Sequence, residues 1–387
     1  MRDARAVIAL QDWISSHRDE MVQDLSDYIG QETPSDDKNL LIKGLDWTER
    51  WLGLRLGAPA ARRMVDGGDH GDTVVVDYPS PTLPAAPWVT ALCHYDTVWQ
   101  AGTLAEWPVS VEGDALTGPG AFDMKAGLVQ AVWALKACDA VGAVRPHVRL
   151  VLNGDEELGS PSSRTVIEEE SLRGASVLVF EASANGALKT ARKGVGIFRV
   201  EARGEAVHAG LDPEAGASAI EEISRVVLLL HAASDLAAGT TINVGVLRGG
   251  TRTNVKAGRA VAEVDVRVSS EAEAQRVDSL LGSLRAENPL ASISVGGGWN
   301  RPVMQRTEKT AAMFSRAVDV ATALDLDLQE ASVGGASDGN FAAALGLPVL
   351  DGLGAVGAGA HARNEWISIS GMVERAALAA GLLTRLV

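Results

Sequence analysis

Residues 88–96, WVTALCHYD, run from an unbroken apolar stretch into a histidine and an aspartate two positions apart. The apolar part reads as a strand buried on both faces, entered from the proline-rich PSPTLPAAP of residues 79–87. His94 and Asp96 then either ligate something or close a core strand as a hydrogen-bonded polar pair. Taken alone, the pair does not decide between these.

Working outward, the same layout recurs. Apolar VRLVLNG (148–154) ends in Asp155-Glu156-Glu157, and apolar SVLVF (176–180) ends in Glu181. GPGAFDMKAG (118–127) places Asp123 just before a helix expected over 124–141, and SPSSRTVIEEESL (160–172) reads as a second helix. Strands alternating with helices predict an α/β domain with a parallel sheet covered on both faces. Ligand sites of such sheets lie beyond the C-terminal strand ends, where these polar residues fall.

After about residue 190 the pattern changes. GIFRVEARG alternates as a strand, 214–236 is helical, TINVGVLRGG and RAVAEVDVRVS are two strands, 270–288 is helical and SISVGGG is a last strand. That order, β-α-β-β-α-β, is a ferredoxin-like α+β sandwich. The expected organisation is therefore a domain in two segments, 1–190 and 304–387, interrupted by an inserted domain over 191–303. LPVLDGLG (347–354) reads as a strand of the resumed first domain.

The 387 residues suit two domains. A net charge of −15 argues against nucleic acid or an anionic membrane as partner. No apolar run reaches the ~18–20 residues needed to span a bilayer. The amphipathic N-terminus lacks the apolar core of a signal peptide, so the reading is cytoplasmic, or periplasmic had a leader been removed. Cys93 and Cys138, the only cysteines, lie in apolar surroundings and read as free buried thiols.

Each polar residue has a bland reading: a turn for His94 and Asp96, a helix cap for Asp123, solvated acids at Glu156, Glu157 and Glu181. Their common location overrides it. Five acids and a histidine at one sheet edge repel one another without a cation, and imidazole with carboxylate suits zinc.

HYDTV, GPGAFDMKAG, NGDEELGS, AVHAG (206–210) and GAHARNEW (359–366) resemble, in order and context, the dinuclear zinc family of glutamate carboxypeptidase, aminoacylase and succinyl-diaminopimelate desuccinylase. AHARNEW and FEASANG (180–186) most resemble glutamate carboxypeptidase. The resemblance implies a zinc-peptidase-like catalytic domain with a mixed, largely parallel sheet and an inserted lid and dimerisation domain. It implies two Zn2+ ions, with Co2+ or Mn2+ able to replace them. His94, Asp123 and Glu181 would hold one and Asp123, Glu157 and His361 the other, with a cis peptide after Asp123. Asp96 would orient His94, Glu156 would be the general base, and His208 would stabilise the oxyanion, in many members across a dimer interface.

By the same resemblance, Asn254 in GTRTN and Arg301 in WNRPV would hold the substrate carboxylate, Arg267 in VDVRVS would be another substrate-side arginine, and the backbone amides of the glycine-rich SVGGASDGN, with Gly335, would face the substrate. For the arginines, surface salt bridges are the bland alternative. The implied activity is release of a C-terminal amino acid, glutamate first, from a peptide or N-acyl conjugate by a homodimer. The alternatives are an N-acyl-amino-acid deacylase, a dipeptidase or, more remotely, a non-catalytic binding protein.

Overall fold

The structure, a computed structural model, describes residues 2–387, with side chains from Arg5 onward. The chain forms two compact units. The first runs to Ala191 and resumes at Arg306–Val333 and Ser337–Val387; the second comprises Arg192–Gln305 with Gly334–Ala336.

The first unit is built on a six-stranded sheet. Its strands are β1 (Ala61–Val65), β2 (Thr73–Tyr78), β3 (Trp88–His94), β4 (His147–Asn153), β5 (Ser176–Val179) and the short Val349–Leu350. In space they lie in the order β1, β2, β4, β3, β5, Val349–Leu350. Pairing is parallel from β4 onward, and β1 and β2 run antiparallel at the other edge. The sheet is thus mixed. The sequence expectations include neither β1 nor β2: β1 is almost wholly exposed, so no buried apolar face marks it, whereas β2 is a buried apolar run that they omit.

β4 and β5 bury every residue and β3 all but its first, as expected for parallel strands covered on both sides. The helix Ala126–Ala140 packs here with few exposed residues, along with the almost wholly buried C-terminal helix Ile369–Leu383. Gly127 is required where the first helix approaches the sheet, because a Cβ there would collide with the Phe180 carbonyl oxygen. That approach brings the helix start, and Asp123 before it, to the end of β5.

Three helices fall well short of their sequence expectations, the one expected over 270–288 being Glu271–Ser283. The helix expected over 160–172 begins only at Arg164, because Ser162 and Ser163 donate to the Asp155 carboxylate instead. The one expected over 214–236 is Ala219–Ala232: Ala217 is extended and bridged to Glu205, and Ser218 caps the helix.

The second unit has a four-stranded antiparallel sheet of β6 (Gly194–Arg203), β7 (Thr241–Gly249), β8 (Arg259–Val268) and β9 (Ser292–Arg301), in the order β7, β8, β6, β9. Helices Ala219–Ala232 and Glu271–Ser283 complete the β-α-β-β-α-β order. Phe198, Val200, Ile223, Val226, Val264 and Val277 lie in a core of its own. Among the described residues, no helix is long and apolar enough to cross a membrane.

Candidate metal centre

β4, β3 and β5 are adjacent and parallel, so their C-terminal ends meet at one edge. His94 is the last residue of β3, paired with Asn153 of β4. Asp155, Glu156 and Glu157 follow β4, and Glu181 follows β5. Asp123 comes from a tight turn, Ala121–Lys125, whose Asp123–Met124 peptide is cis. His361, on a loop near the C-terminus, has a φ of 62°, in the region that favours glycine.

These side chains converge. His94 Nε2 is 3.3 Å from Asp123 Oδ1 and 3.4 Å from Glu181 Oε1. His361 Nε2 is 3.3 Å from Asp123 Oδ2 and 3.1 Å from Glu157 Oε2. Each oxygen of Asp123 therefore faces a different imidazole. Glu156 groups with His94 and Glu181, their ligand atoms lying within 4.8 Å of one another.

The set fits a pair of divalent cations. Two ligand atoms held 2.0–2.1 Å from one tetrahedral ion lie about 3.3–3.4 Å apart, the spacing found here. Among the described residues, His94 Nε2 and Glu157 Oε1 are buried without a hydrogen-bond partner. His94 Nε2 lies within reach of two carboxylates yet is aligned for a hydrogen bond to neither. Such buried orphans are costly unless another group satisfies them.

The electrostatics agree. Burial pushes the Glu157 carboxyl up to about 7. Burial acts the same way on Asp123, but the His361 and His94 imidazoles outweigh it and hold the carboxyl well below its usual range. Asp123 and Glu157 raise His361 to about 10. Burial opposes the charged form of His94, yet Asp123, Asp96 and Glu181 drive its pKa well above the ordinary value.

Asp96 does more than orient a ring. Its backbone carbonyl, 3.0 Å from His94 Nδ1, is closer than its carboxylate at 3.4 Å. The carboxylate accepts from the backbone N–H groups of Glu156 and Glu157, both at 3.2 Å, and from Ser35 Oγ at 2.8 Å. It therefore ties the His94 strand end to the loop bearing the two glutamates.

Sequence reasoning passed over several supporting residues. Asp155, fully buried, accepts from Ser162 and Ser163 and anchors that same loop. Lys125, buried under the Asp123 turn, donates to the carbonyls of Gln31 (2.6 Å) and Tyr28 (3.3 Å), and burial pushes its pKa down to about 7. Buried Glu365 accepts from the backbone N–H groups of Phe122 and Asp123 and from Trp99 Nε1. Their signals, an acid two before a ligand, another four after one and a lysine in an apolar helix start, carry no meaning until the partners are known.

The remaining predicted residues belong to the second unit. Exposed His208 and Asn254 lie on two loop segments joined by a bridge between His208 and Val255, with Ala209 N donating to Asn254 O at 2.9 Å. His208 Nδ1 accepts from Gly210 N and Leu211 N, both at 3.2 Å, which leaves the neutral ring's proton on Nε2. Arg267 pairs with Asp265 at 3.0 Å on its own strand. Arg301 is buried, and its guanidinium reaches Asn300 Oδ1 at 3.3 Å. Gly335 is exposed and its carbonyl accepts from Arg192.

A mixed α/β sheet whose edge gathers imidazoles around a shared aspartate defines a protein of the metallohydrolase class. Residues 92–385 match the model of Peptidase family M20/M25/M40, and the chain belongs to that family. It is a metallopeptidase or amidohydrolase of the carboxypeptidase-related kind. Carboxypeptidase G2 of Pseudomonas sp. (strain RS-16) is 33% identical over 303 residues, 76% of this chain and 72% of that protein. Acetylornithine deacetylase of Myxococcus xanthus is 31% identical over 205 residues, 50% of this chain and 51% of that one. A dinuclear metal-binding M20 peptidase from Bacillus subtilis shares the fold with a TM-score of 0.70 at 14% identity, covering 96% of this chain and 98% of its own.

Proposed function

We propose that the protein uses two zinc ions to hydrolyse an amide bond next to a free carboxylate, releasing a C-terminal amino acid, glutamate first, from a peptide or N-acyl conjugate. The observation that carries this reading is Asp123, whose two oxygens face His94 and His361 at 3.3 Å each. His94, Asp123 and Glu181 would hold one ion and Asp123, Glu157 and His361 the other. Bound there, the ions would acidify a water and polarise the substrate carbonyl.

The chain's own residues do the rest. Glu156 accepts a proton from the attacking water and passes it to the departing nitrogen. His208 donates from Nε2 to the developing oxyanion, consistent with the tautomer its backbone contacts select. Asn254 and Arg301 hold the substrate carboxylate, for which arginine's paired donors are suited, while Arg267 and the backbone amides of the Gly335 loop face the substrate. The second unit also joins two copies of the chain, a reading supported by Leu228 and Leu229, exposed on its helix Ala219–Ala232.

Half-length similarity to an acetylornithine deacetylase supports a second reading, N-acyl-amino-acid deacylation by the same chemistry. Metal-stripped protein reconstituted with Zn2+ and offered N-acyl-glutamates, N-acyl-aspartates and dipeptides separates the two. Fast turnover of glutamate conjugates is expected. Slow turnover of all of them beside a fast N-acyl substrate of another amino acid establishes the deacylase instead.

A further inference from the structure

Glu365 is fully buried, four residues beyond His361. Its Oε1 accepts from the backbone N–H groups of Phe122 (2.8 Å) and Asp123 (3.0 Å). Its Oε2 accepts from the backbone N–H of Gly120 (3.0 Å) and from Trp99 Nε1 (2.9 Å). Burial raises the pKa of this carboxyl, and the four donors oppose that shift. A carboxylate with two N–H donors on each oxygen is an acceptor on both sides. It grips the turn carrying Asp123 from a position fixed by the loop that carries His361.

We propose that Glu365 is a positioning residue that sets the spacing of Asp123 and His361 by clamping the 120–123 turn to the 361–365 loop. The inference rests on the metal-site reading above. It predicts that a neutral side chain of the same size fails. In Glu365→Gln, whichever way the amide is turned, its NH2 faces two N–H donors, so the turn shifts or two backbone donors are left buried and unpaired. Outer partners of metal ligands typically change metal affinity by about 10–100-fold.

The test titrates Co2+ into metal-stripped parent and Glu365→Gln, reading stoichiometry, affinity and the visible spectrum of bound cobalt. Expected is loss of at least about tenfold in affinity for one of two ions and a changed cobalt spectrum in protein that is folded by circular dichroism. A merely structural role would lower thermal stability yet leave the affinity and spectrum of the folded fraction at parent values; that result overturns the inference. Should Glu365→Gln not fold, Trp99→Phe decides, since it removes one donor and keeps the carboxylate. A several-fold weaker ion supports the clamp, and parent-like binding overturns it. Parent protein that binds no Co2+ overturns the metal-site reading and this inference together.

Discussion

In the first unit β4 and β5 bury every residue, whereas β6 and β8 of the second unit bury alternate ones. Ile197 on β6 is 58% exposed while Leu178 on β5 is 1% exposed. The first sheet is sealed on both faces, so polar groups concentrate at its strand ends, where the site lies. The second is sealed by helices on one face and spends the other on charges such as Arg199, Glu201 and Arg259. Parallel pairing calls for cover on both sides, and an antiparallel sheet does not. One unit can therefore hold several acids in a shielded cluster, and the other offers an open face.

The acid and imidazole cluster lies in the first unit, and the most damaging test is there. Glu156→Gln is expected to lower kcat by about 10²–10⁴-fold while metal content, read by atomic absorption, is unchanged. Parent-like turnover removes Glu156 from the role of base.

Core truncation compares the two units directly. Leu178→Ala and Ile223→Ala, both in buried cores, should each cost about 2–5 kcal/mol. Calorimetry with and without Zn2+ should show the metal raising the transition that Leu178→Ala lowers, since all the proposed ligands belong to that unit. Ile223→Ala should keep the parent's metal affinity. Equal loss of affinity in both variants breaks the comparison.

A smaller effect comes from the buried charge at Lys125. Its folded pKa of about 7 lies below the ordinary 10.5. Above about pH 7 the unfolded chain holds a proton that the folded chain lacks, so Lys125 makes stability rise with pH up to about 10.5. Denaturant unfolding of the parent, compared with Lys125→Met across that window, should show the rise only in the parent. An identical pH slope in both would mean that the lysine is charged in the fold.

The least effect belongs to the open face of the inserted sheet. Ile197→Ser should change stability by no more than about 0.5 kcal/mol. A loss of core size in the same unfolding assay would mean that this face is covered in solution.

Much of this was legible in the residues. β3, β4 and β5 announced themselves as apolar runs, and His94, Glu156, Glu157 and Glu181 stand just beyond them. β1 escaped because its exposed ARRMV has no apolar face, and the late start of the helix at Arg164 because its serines serve Asp155. The β-α-β-β-α-β order was readable from alternation, although Ala217 and Ser218 shorten the first of its helices.

Sequence alone determined the buried parallel strands β3, β4 and β5, the α/β class and the residue types at the sheet's edge, because local periodicity and composition depend on near neighbours in the chain. Only the tertiary structure decided that Asp123 faces two histidines 267 positions apart (361 − 94 = 267) and that Glu365 grips the turn beside it. Those contacts follow from strand order and loop closure. Their physical cause is the need of buried donors and acceptors to find partners, wherever in the chain these lie.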